Sequence, residues 1–556
     1  MNESSRNLTE IWGPRFASVL VAIMGIVNVL SAVTASLTER VHLLDQVMPL
    51  VVRRGSHLTS ALAGFALLLL ASGLWRRKRT AWVVTVMVLG VSAASHLVKG
   101  LDYEEALLAS GLMVILWAMR SRFQARSDIP SIRESLKILA ASMLFTLAYG
   151  AIGFYLLDRH YKVNFSLGAA VRQTVVMFTE FYDPGLEPVT GFGRYFATSI
   201  YAVGAITVGY ALLMLIRPVL ARRAADQNEL TRARQIVEAH GRSSLADLTL
   251  LPDKLYFFSP GGSLIAYAVK GRVALALGDP IGPEEDFNAA LAAYLDMCAL
   301  NDWQPAYYQV LPTHLGIYTT AGFDLLCVGQ EGIVDLETFS LEGRSNKDLR
   351  SAVNRFTKLG YQTCYNAPPL SAELLAKLRQ VSDEWLEDMQ GSEKRFSLGW
   401  FDDEYIGGRS VMTVEAPNGE IIAFANLIPE YQLNETTIDL MRHRRGTLPG
   451  TMDFLFVGLF QWAQSQGFAT FNLGLSALSG IGESEHDPMI EKALRFIYDH
   501  VDQFYNFKGL HKFKEKFHPE WSPRYLAYPG LSSLPTVAFA LARADSGDGL
   551  GDYLKI

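Results

Sequence analysis

The chain has 556 residues, 50% of them hydrophobic and 19% charged, and its mean hydropathy is +0.15. That composition excludes a disordered, collagen-like or disulfide-built protein, and the length exceeds the roughly 100–200 residues of one soluble domain. Charge is unevenly divided: 22 basic and 13 acidic residues up to Ala224 give a net +9, and 28 basic and 43 acidic residues after it give a net −15. In chain order, the apolar stretches 16–37, 57–75, 82–98, 105–119, 136–157 and 195–216 approach the roughly 20 residues that cross a bilayer. Polar Asn28 inside the first stretch, and the stretches that follow it, argue against a cleaved signal peptide. Arg76-Arg77-Lys78-Arg79, the cluster Arg120 to Lys137, and Arg217 with Arg222 and Arg223 fall on one side of such a bundle. Basic loops mark the cytoplasmic side, so both ends of the bundle are expected there, with Arg40, Arg53 and Arg54 as exceptions. Stretch 164–182 carries Arg172 and Glu180 and reads either as a re-entrant or interfacial helix at a headgroup cavity, or as an amphipathic helix on the outer surface.

Beyond the bundle (1–223) and a polar helical linker (224–240), the periodicity changes. Segments 255–259, 264–269 and 273–277 are β-rich and are separated by Gly261-Gly262 and by Gly271. Apolar spacing at i, i+3 and i+4 predicts a helix over 284–300, and strands over 306–310 and 325–328 follow. A second module starts with amphipathic helices over 346–359 and 372–389. Asn418-Gly419 then joins strands 411–415 and 421–428 in a hairpin. Strand 436–441, helix 452–466 and strand 470–473 complete it. Strands alternating with helices imply α/β layers, and this order of elements is that of an N-acyltransferase-like (GNAT) domain. Two such subdomains are expected in tandem, 224–340 and 341–556, the second carrying the catalytic site.

On strand 436–441 and its extension, simple alternation sends Asp439 and Met441 to one face and Leu440 and Arg442 to the other. Arg444-Arg445-Gly446 follows, and Gly450-Thr451 opens a helix whose free N–H groups favour an anion. Pro449 removes one donor and weakens a coenzyme A reading; a solvated basic loop is the competing one. Segment 511–517 (His-Lys-Phe-Lys-Glu-Lys-Phe) puts Phe513 and Phe517 on one face whether strand or helix. Arg344, Lys347, Arg350, Arg355 and Lys358 form a second basic patch. His511 and His518 are the available histidine bases here. No G-x-S-x-G elbow, P-loop, HExxH or zinc-type Cys/His spacing occurs, and Cys298, Cys327 and Cys364 are far apart, as reduced thiols are. No metal is expected.

The pieces Ala276 to Gly282, Phe339 to Gly343, Arg350 through Asn354-Arg355 to Tyr361, Phe396-Ser397-Leu398-Gly399 and Asp439 to Arg442 occur in that order. They are followed by Gly450 to Asp453, Phe471-Asn472-Leu473-Gly474, Phe513-Lys514 to Lys516-Phe517 and Pro523-Arg524-Tyr525. Together they resemble the phosphatidylglycerol aminoacyltransferases, the multiple peptide resistance factor family of lysyl- and alanyl-phosphatidylglycerol synthases. The resemblance implies a multi-pass plasma-membrane enzyme whose cytoplasmic tandem GNAT-like part moves an amino acid from aminoacyl-tRNA to the glycerol headgroup of phosphatidylglycerol. Such a product lowers the membrane's negative charge and confers resistance to cationic antimicrobial peptides. It implies no cofactor beyond the aminoacyl-tRNA co-substrate; its partners are that RNA, phosphatidylglycerol and the bilayer, and a homo-oligomer is compatible with it.

By the same similarity Asp439, Arg442, Lys514 and Lys516 are the catalytic candidates. Asp439 would hold the donor's amino group or orient Arg442, while Arg442 and Lys514 or Lys516 would serve phosphate or oxyanion. Asn354, Arg355, Phe396, Ser397, Arg445, Gly450, Thr451, Asn472, Gly474 and Ser476 are the substrate-binding candidates. No dedicated base is evident, which favours proton transfer through the neighbouring ribose hydroxyl. RNA contacts would be confined to the basic patches at 344–358, 442–445 and 508–516. The six stretches are fewer than the bundle and flipping module of the longest family members, which puts lipid flipping in doubt. Transfer to another lipid or cell-wall acceptor, and a flippase with a non-catalytic domain, are the alternatives.

Overall fold

The computed structural model describes residues 3–33, 50–126 except 101, 166–180, 225–479 except 390, 391 and 430, and 507–547, with isolated helical positions between 140 and 155 and at 209. Two compact units result, residues 1–220 with 299–303, and residues 221–298 with 304–556. In the first, helices α1 (Glu3–Val33), α2 (Leu50–Trp75), α3 (Arg79–Gly100) and α4 (Tyr103–Ala118) coincide with the first four apolar stretches. Helix α5 (Leu167–Glu180) lies within the amphipathic one. Stretches 136–157 and 195–216 fall outside the described residues, apart from those isolated positions.

Ala17, Val21, Leu67, Leu70, Leu112 and Leu116 pack α1, α2 and α4 together. Buried Asn28 of α1 ties to α3, donating to Ser92 Oγ at 2.7 Å and sharing a 2.9 Å hydrogen bond with His96 Nε2. The outward faces are apolar as well: Ile23, Met87, Leu107 and Val114 are each more than half exposed. A helix that is apolar all round suits lipid rather than water. Among the described helices, one stretch, Arg79–Leu97, is long and apolar enough on its own to cross a membrane.

The second unit is built on one eleven-stranded sheet: β1 (Leu255–Phe258), β2 (Leu264–Lys270), β3 (Val273–Leu277), β4 (Gln304–Val310), β5 (Asp324–Asp335), β6 (Gln362–Asn366), β7 (Val411–Glu415), β8 (Ile421–Ile428), β9 (Glu435–His443), β10 (Thr470–Ala477) and β11 (Glu520–Tyr528). Its spatial order is β1-β2-β3-β4-β11-β5-β10-β9-β8-β7-β6. From one edge β1, β2 and β3 run antiparallel and β4 joins β3 in parallel; from the other, inside β6, β7, β8 and β9 run antiparallel and β10 joins β9 in parallel. Helix α6 (Gln227–His240) precedes the sheet, and α7 (Phe287–Leu300) links β3 to β4 as α12 (Thr451–Gln466) links β9 to β10. Likewise α8 (Leu315–Thr320) precedes β5 as α13 (Phe507–Glu515) precedes β11. The last strand of each repeat has crossed over, since β11 pairs with β4 and β5 pairs with β10. The unit is therefore an internal structural repeat whose halves exchange their final strands around a central β11–β5 pair.

Two buried layers hold the sheet. On one, Leu378 and Val381 of α10 (Ala372–Met389), with Val537 and Ala540 of α14 (Leu534–Asp545), cover Leu275, Leu277, Phe424 and Ile428. On the other, Phe356 of α9 (Lys347–Lys358) and Phe454, Phe456 and Phe460 of α12 meet Phe471 and Phe517. The α9 stripe Leu349, Ala352 and Phe356 has the spacing of one helix face. The β7–β8 turn is the expected Asn-Gly hairpin, with Gly419 at φ +79°.

The halves differ where it matters for a site. Strands β3 and β4 pair over five consecutive positions, Val273–Leu277 with Gln304–Tyr308. Strands β9 and β10 pair over three, from Glu435 with Thr470 to Thr437 with Asn472, and then separate. Both diverging strands are irregular, β10 between Asn472 and Leu475 and β9 opposite β8 between Ala425 and Leu427. In the latter, Ala425 faces Met441 and Leu427 faces Ile438, so Asp439 and Leu440 together oppose Asn426 as a β-bulge.

Candidate active site

The bulge changes where Asp439 points. Its carboxylate accepts the Gly399 N–H at 2.9 and 3.0 Å and the Tyr405 hydroxyl at 2.6 Å, on the face covered by α10. Arg442 lies on that same face, where it contacts Ser382 of α10. The alternation expected from sequence is thus broken by the extra residue. Burial pushes the Asp439 carboxyl up, and the bonds from Tyr405 and Gly399 pull it back. Tyr405, on the short helix α11 (Asp403–Gly407), is backed by Arg409, 3.9 Å from its ring; Arg409 pairs with Asp247, which accepts from Tyr431 at 2.8 Å.

The segment over Asp439 is tightly set. Phe396 is buried at φ +66°, a region bulky residues rarely adopt, and its N–H donates to Asp253 Oδ2 at 2.9 Å. Asp253 also pairs with buried Lys254, whose ammonium sits 5.1 Å over the Phe396 ring. A methyl group at Gly399 would run into Asp439 Oδ2 and the Tyr405 ring, so only glycine lets this turn close on the carboxylate.

Across the strand opening, Lys514 of α13 is buried and donates to the carbonyls of Gly474 at 2.9 Å and Leu475 at 3.0 Å. Burial lowers its ammonium to about 7, with Glu331 acting in the opposite direction. Gly474 has φ +76°, and its N–H is taken by Asn472 Oδ1 at 2.8 Å, which bends β10 away from β9. Asn472 Nδ2 donates to Glu331 at 3.0 Å and Glu435 at 3.2 Å, and Glu331 is paired with Arg524. Ser476 shares a 3.2 Å hydrogen bond with His511 Nδ1. Of segment 511–517, residues 511–515 are helical and 516–517 form the turn after the helix.

The remaining candidates divide into two groups. At the N-terminus of α12, Gly450 caps the helix at φ +90°, Thr451 Oγ1 donates to Leu448 O at 2.7 Å, and Lys516 Nζ binds Asp453 at 2.9 Å. A methyl group at Gly450 would stand 3.2 Å from Arg355 Nη2, so Arg355 reaches the same turn; Asn354 is exposed on α9 beside it. Ser397 donates its N–H to Arg395 O at 2.9 Å within the segment over Asp439.

In the second group, the arginines of the expected anion site, each side chain is paired with a carboxylate. Arg442 is buried, is bidentate to Glu393 at 3.0 and 2.6 Å, bonds Ser382 Oγ and lies 5.1 Å over Trp385. Its carboxylate partner is Glu393, not Asp439. Arg445 donates to Asp388 at 2.7 Å, and Arg444 pairs with Glu384 at 3.2 Å and Glu420 at 3.3 Å. Acidic residues of α10 and the β-hairpin, distant in sequence, neutralise this loop. Sequence reasoning missed Glu393, Tyr405 and Asn426; the last carried a signal, as the one polar residue in the apolar run of β8.

Residues 234–528 match the family model described as phosphatidylglycerol lysyltransferase, C-terminal, and residues 10–182 match the one described as transmembrane region of lysyl-tRNA synthetase. The chain is 29% identical over 498 residues to phosphatidylglycerol lysyltransferase of Bacillus subtilis (strain 168), covering 89% of this chain and 55% of that protein. It is 28% identical over 489 residues to the protein of the same name from Staphylococcus aureus (strain MRSA252), covering 86% and 55%. The chain thus spans about half the length of the curated relatives it matches. The solved structure of L-PGS from Bacillus licheniformis is 36% identical and superimposes with a TM-score of 0.52, covering 59% of this chain and 99% of that one.

Proposed function

The chain belongs to the family of phosphatidylglycerol lysyltransferase C-terminal domains, which its residues 234–528 match, and from that premise we propose that it is a membrane-bound, tRNA-dependent aminoacyltransferase. The tandem GNAT-like part moves the amino acid of an aminoacyl-tRNA, lysine in the first instance as in the relatives' names, onto the glycerol headgroup of phosphatidylglycerol. The multi-pass bundle, with the α/β part on the cytoplasmic side, keeps that part at the acceptor lipid; the outward apolar faces of α1 to α4 support this reading.

The observation that carries the proposal is the opening between β9 and β10, with a buried carboxylate on one side and a buried amine on the other. Asp439, anchored by Gly399 and Tyr405, holds the α-ammonium of the donor amino acid. Lys514 supplies the base that the sequence did not offer. As a neutral amine it gives one N–H each to the Gly474 and Leu475 carbonyls and keeps its lone pair for the attacking lipid hydroxyl, and a lysine near 7 is suited to that task. Arg355, Lys516 and the N-terminus of α12 receive phosphate of the RNA end.

The test is expression of the full chain in a host lacking aminolipids, with lipid extracts analysed by mass spectrometry and membranes assayed with and without RNase. A lysyl ester of phosphatidylglycerol that RNase abolishes is the expected result. No new headgroup ester, or one indifferent to RNase, overturns the proposal; an alanyl ester corrects only the donor.

A further inference from the structure

Strand β8 is buried along its whole length and apolar at every position except Asn426. Its neighbours Ala425 and Leu427 belong to the layer under α12, whereas Phe424 and Ile428 belong to the layer under α10. Asn426 therefore faces the α10 side, which is the side the Asp439 carboxylate occupies. Across the bulge it opposes Asp439 and Leu440 together.

The orientation of its amide is settled by one bond. Leu440 N–H donates to Asn426 Oδ1 at 2.8 Å, and a backbone N–H can be received only by the amide oxygen. The NH2 group is therefore turned the other way. It is wholly buried, and among the described residues Asn426 Nδ2 has no hydrogen-bond partner. Buried donors are almost always paired, and one left unpaired in a fixed direction beside a catalytic carboxylate is prepared for a ligand's acceptor.

We propose that Asn426 is a catalytic residue whose Nδ2–H donates to the carbonyl oxygen of the aminoacyl ester and carries the negative charge that forms there. This rests on the aminoacyl-transfer reading above. Across the bulge Asp439 and Asn426 lie on adjacent strands, on the same face of the sheet. Asp439 and Asn426 thus bracket two groups that any α-aminoacyl ester holds close together, the ammonium and the carbonyl oxygen. In the step itself, the lipid hydroxyl oxygen bonds to the carbonyl carbon and its proton passes to Lys514. The C=O electron pair moves onto the oxygen facing Asn426. Collapse restores the double bond and breaks the bond to the ribose oxygen, which takes the proton back from Lys514.

Two variants of the full chain in phosphatidylglycerol vesicles test this. Asn426→Asp keeps an acceptor for Leu440 N–H but loses the donor; Asn426→Thr keeps an acceptor and restores a donor hydrogen. The expected result is a kcat lowered about 100- to 1000-fold in Asn426→Asp. KM for aminoacyl-tRNA should stay within about twofold, with hydrogen exchange at Leu440 as in the wild type and at least tenfold recovery in Asn426→Thr. A kcat in Asn426→Asp within about threefold of the wild type overturns the proposal. So does equal impairment of both variants together with lost protection at Leu440, which assigns Asn426 a structural role. Wild-type protein run alongside separates the two claims: if it transfers nothing, the aminoacyl-transfer reading fails instead.

Discussion

Removing the carboxylate of Glu393 distinguishes a structural Arg442 from one that serves substrate. The Arg442 side chain is 3% exposed and that of Glu393 is 24% exposed, and two charge-assisted bonds of 3.0 and 2.6 Å join them. Ser382 and Trp385 complete the guanidinium's surroundings but neither neutralises it. In Glu393→Ala an arginine stays buried without its counter-charge, and breaking a buried pair in this way costs about 3–5 kcal/mol. At about 1.4 kcal/mol per tenfold, amide exchange through Leu440–His443 should then accelerate roughly 100- to several-thousand-fold. Hydrogen exchange with mass spectrometry on the full chain in detergent reads this directly. Arg442→Met with Glu393→Gln, which removes both charges, should recover most of the loss, because an apolar filling of similar volume is close to neutral. If Glu393→Ala leaves exchange unchanged while abolishing lipid aminoacylation, Arg442 acts on substrate and the structural assignment is wrong.

Other expectations follow from the same geometry. Lys514 works as the neutral amine, so kcat/KM should rise with pH through about 7 and level off above it, a limb absent from the always-charged Lys514→Arg. Because its folded value lies below the ordinary 10.5, the unfolded chain binds that proton more strongly between about 7 and 10.5. Stability should therefore climb across that window in the wild type and climb less in Lys514→Met, as thermal unfolding at stepped pH would reveal. Gly399→Ala should cut activity at least tenfold with circular dichroism unchanged, since the new methyl group collides with Asp439 and Tyr405; wild-type activity would mean that the turn does not position the carboxylate. Phe460→Ala, in the aromatic cluster with Phe339, Phe471 and Phe517, should destabilise by about 3–5 kcal/mol without touching the site's polar groups, measured by urea unfolding.

Much of the α/β part was readable because its elements carry period. The hairpin around Asn418-Gly419, the fully apolar β3, β8 with Asn426 as its one polar residue, and the striped α9 each announce their state locally. Strands β6 and β11 do not: Gln362–Asn366 is a polar edge, and Glu520–Tyr528 contains Pro523. The repeat was legible only as an order of elements, because the halves share a pattern of pairing, and the exchange of β5 and β11 leaves no local trace.

At the candidate site, Lys514 and Asn472 are joined through Gly474 on β10, while Asp439 on β9 is held by Gly399 and Tyr405, the two strands parting after three paired positions. The roles were harder to read. Alternation fails at Asp439 because of a bulge whose partner, Asn426, lies on another strand. The arginines at 442, 444 and 445 appear free in sequence because Glu393, Glu384, Asp388 and Glu420 lie 24 to 60 residues away from the arginines they pair with. The downward displacement of Lys514 comes wholly from burial, which no local motif encodes.

The central claim is that the opening between β9 and β10 transfers an aminoacyl group to lipid. It is tested most directly by incubating purified full-length protein with lysyl-tRNA labelled in the amino acid and with phosphatidylglycerol vesicles, then counting label in the organic phase. The wild type should carry label into lipid, and Asp439→Asn, with wild-type hydrogen exchange, should lower that transfer by a hundredfold or more, as expected when a transition-state charge contact is lost. No label in lipid with the wild type, or equal transfer by Asp439→Asn, would contradict the account.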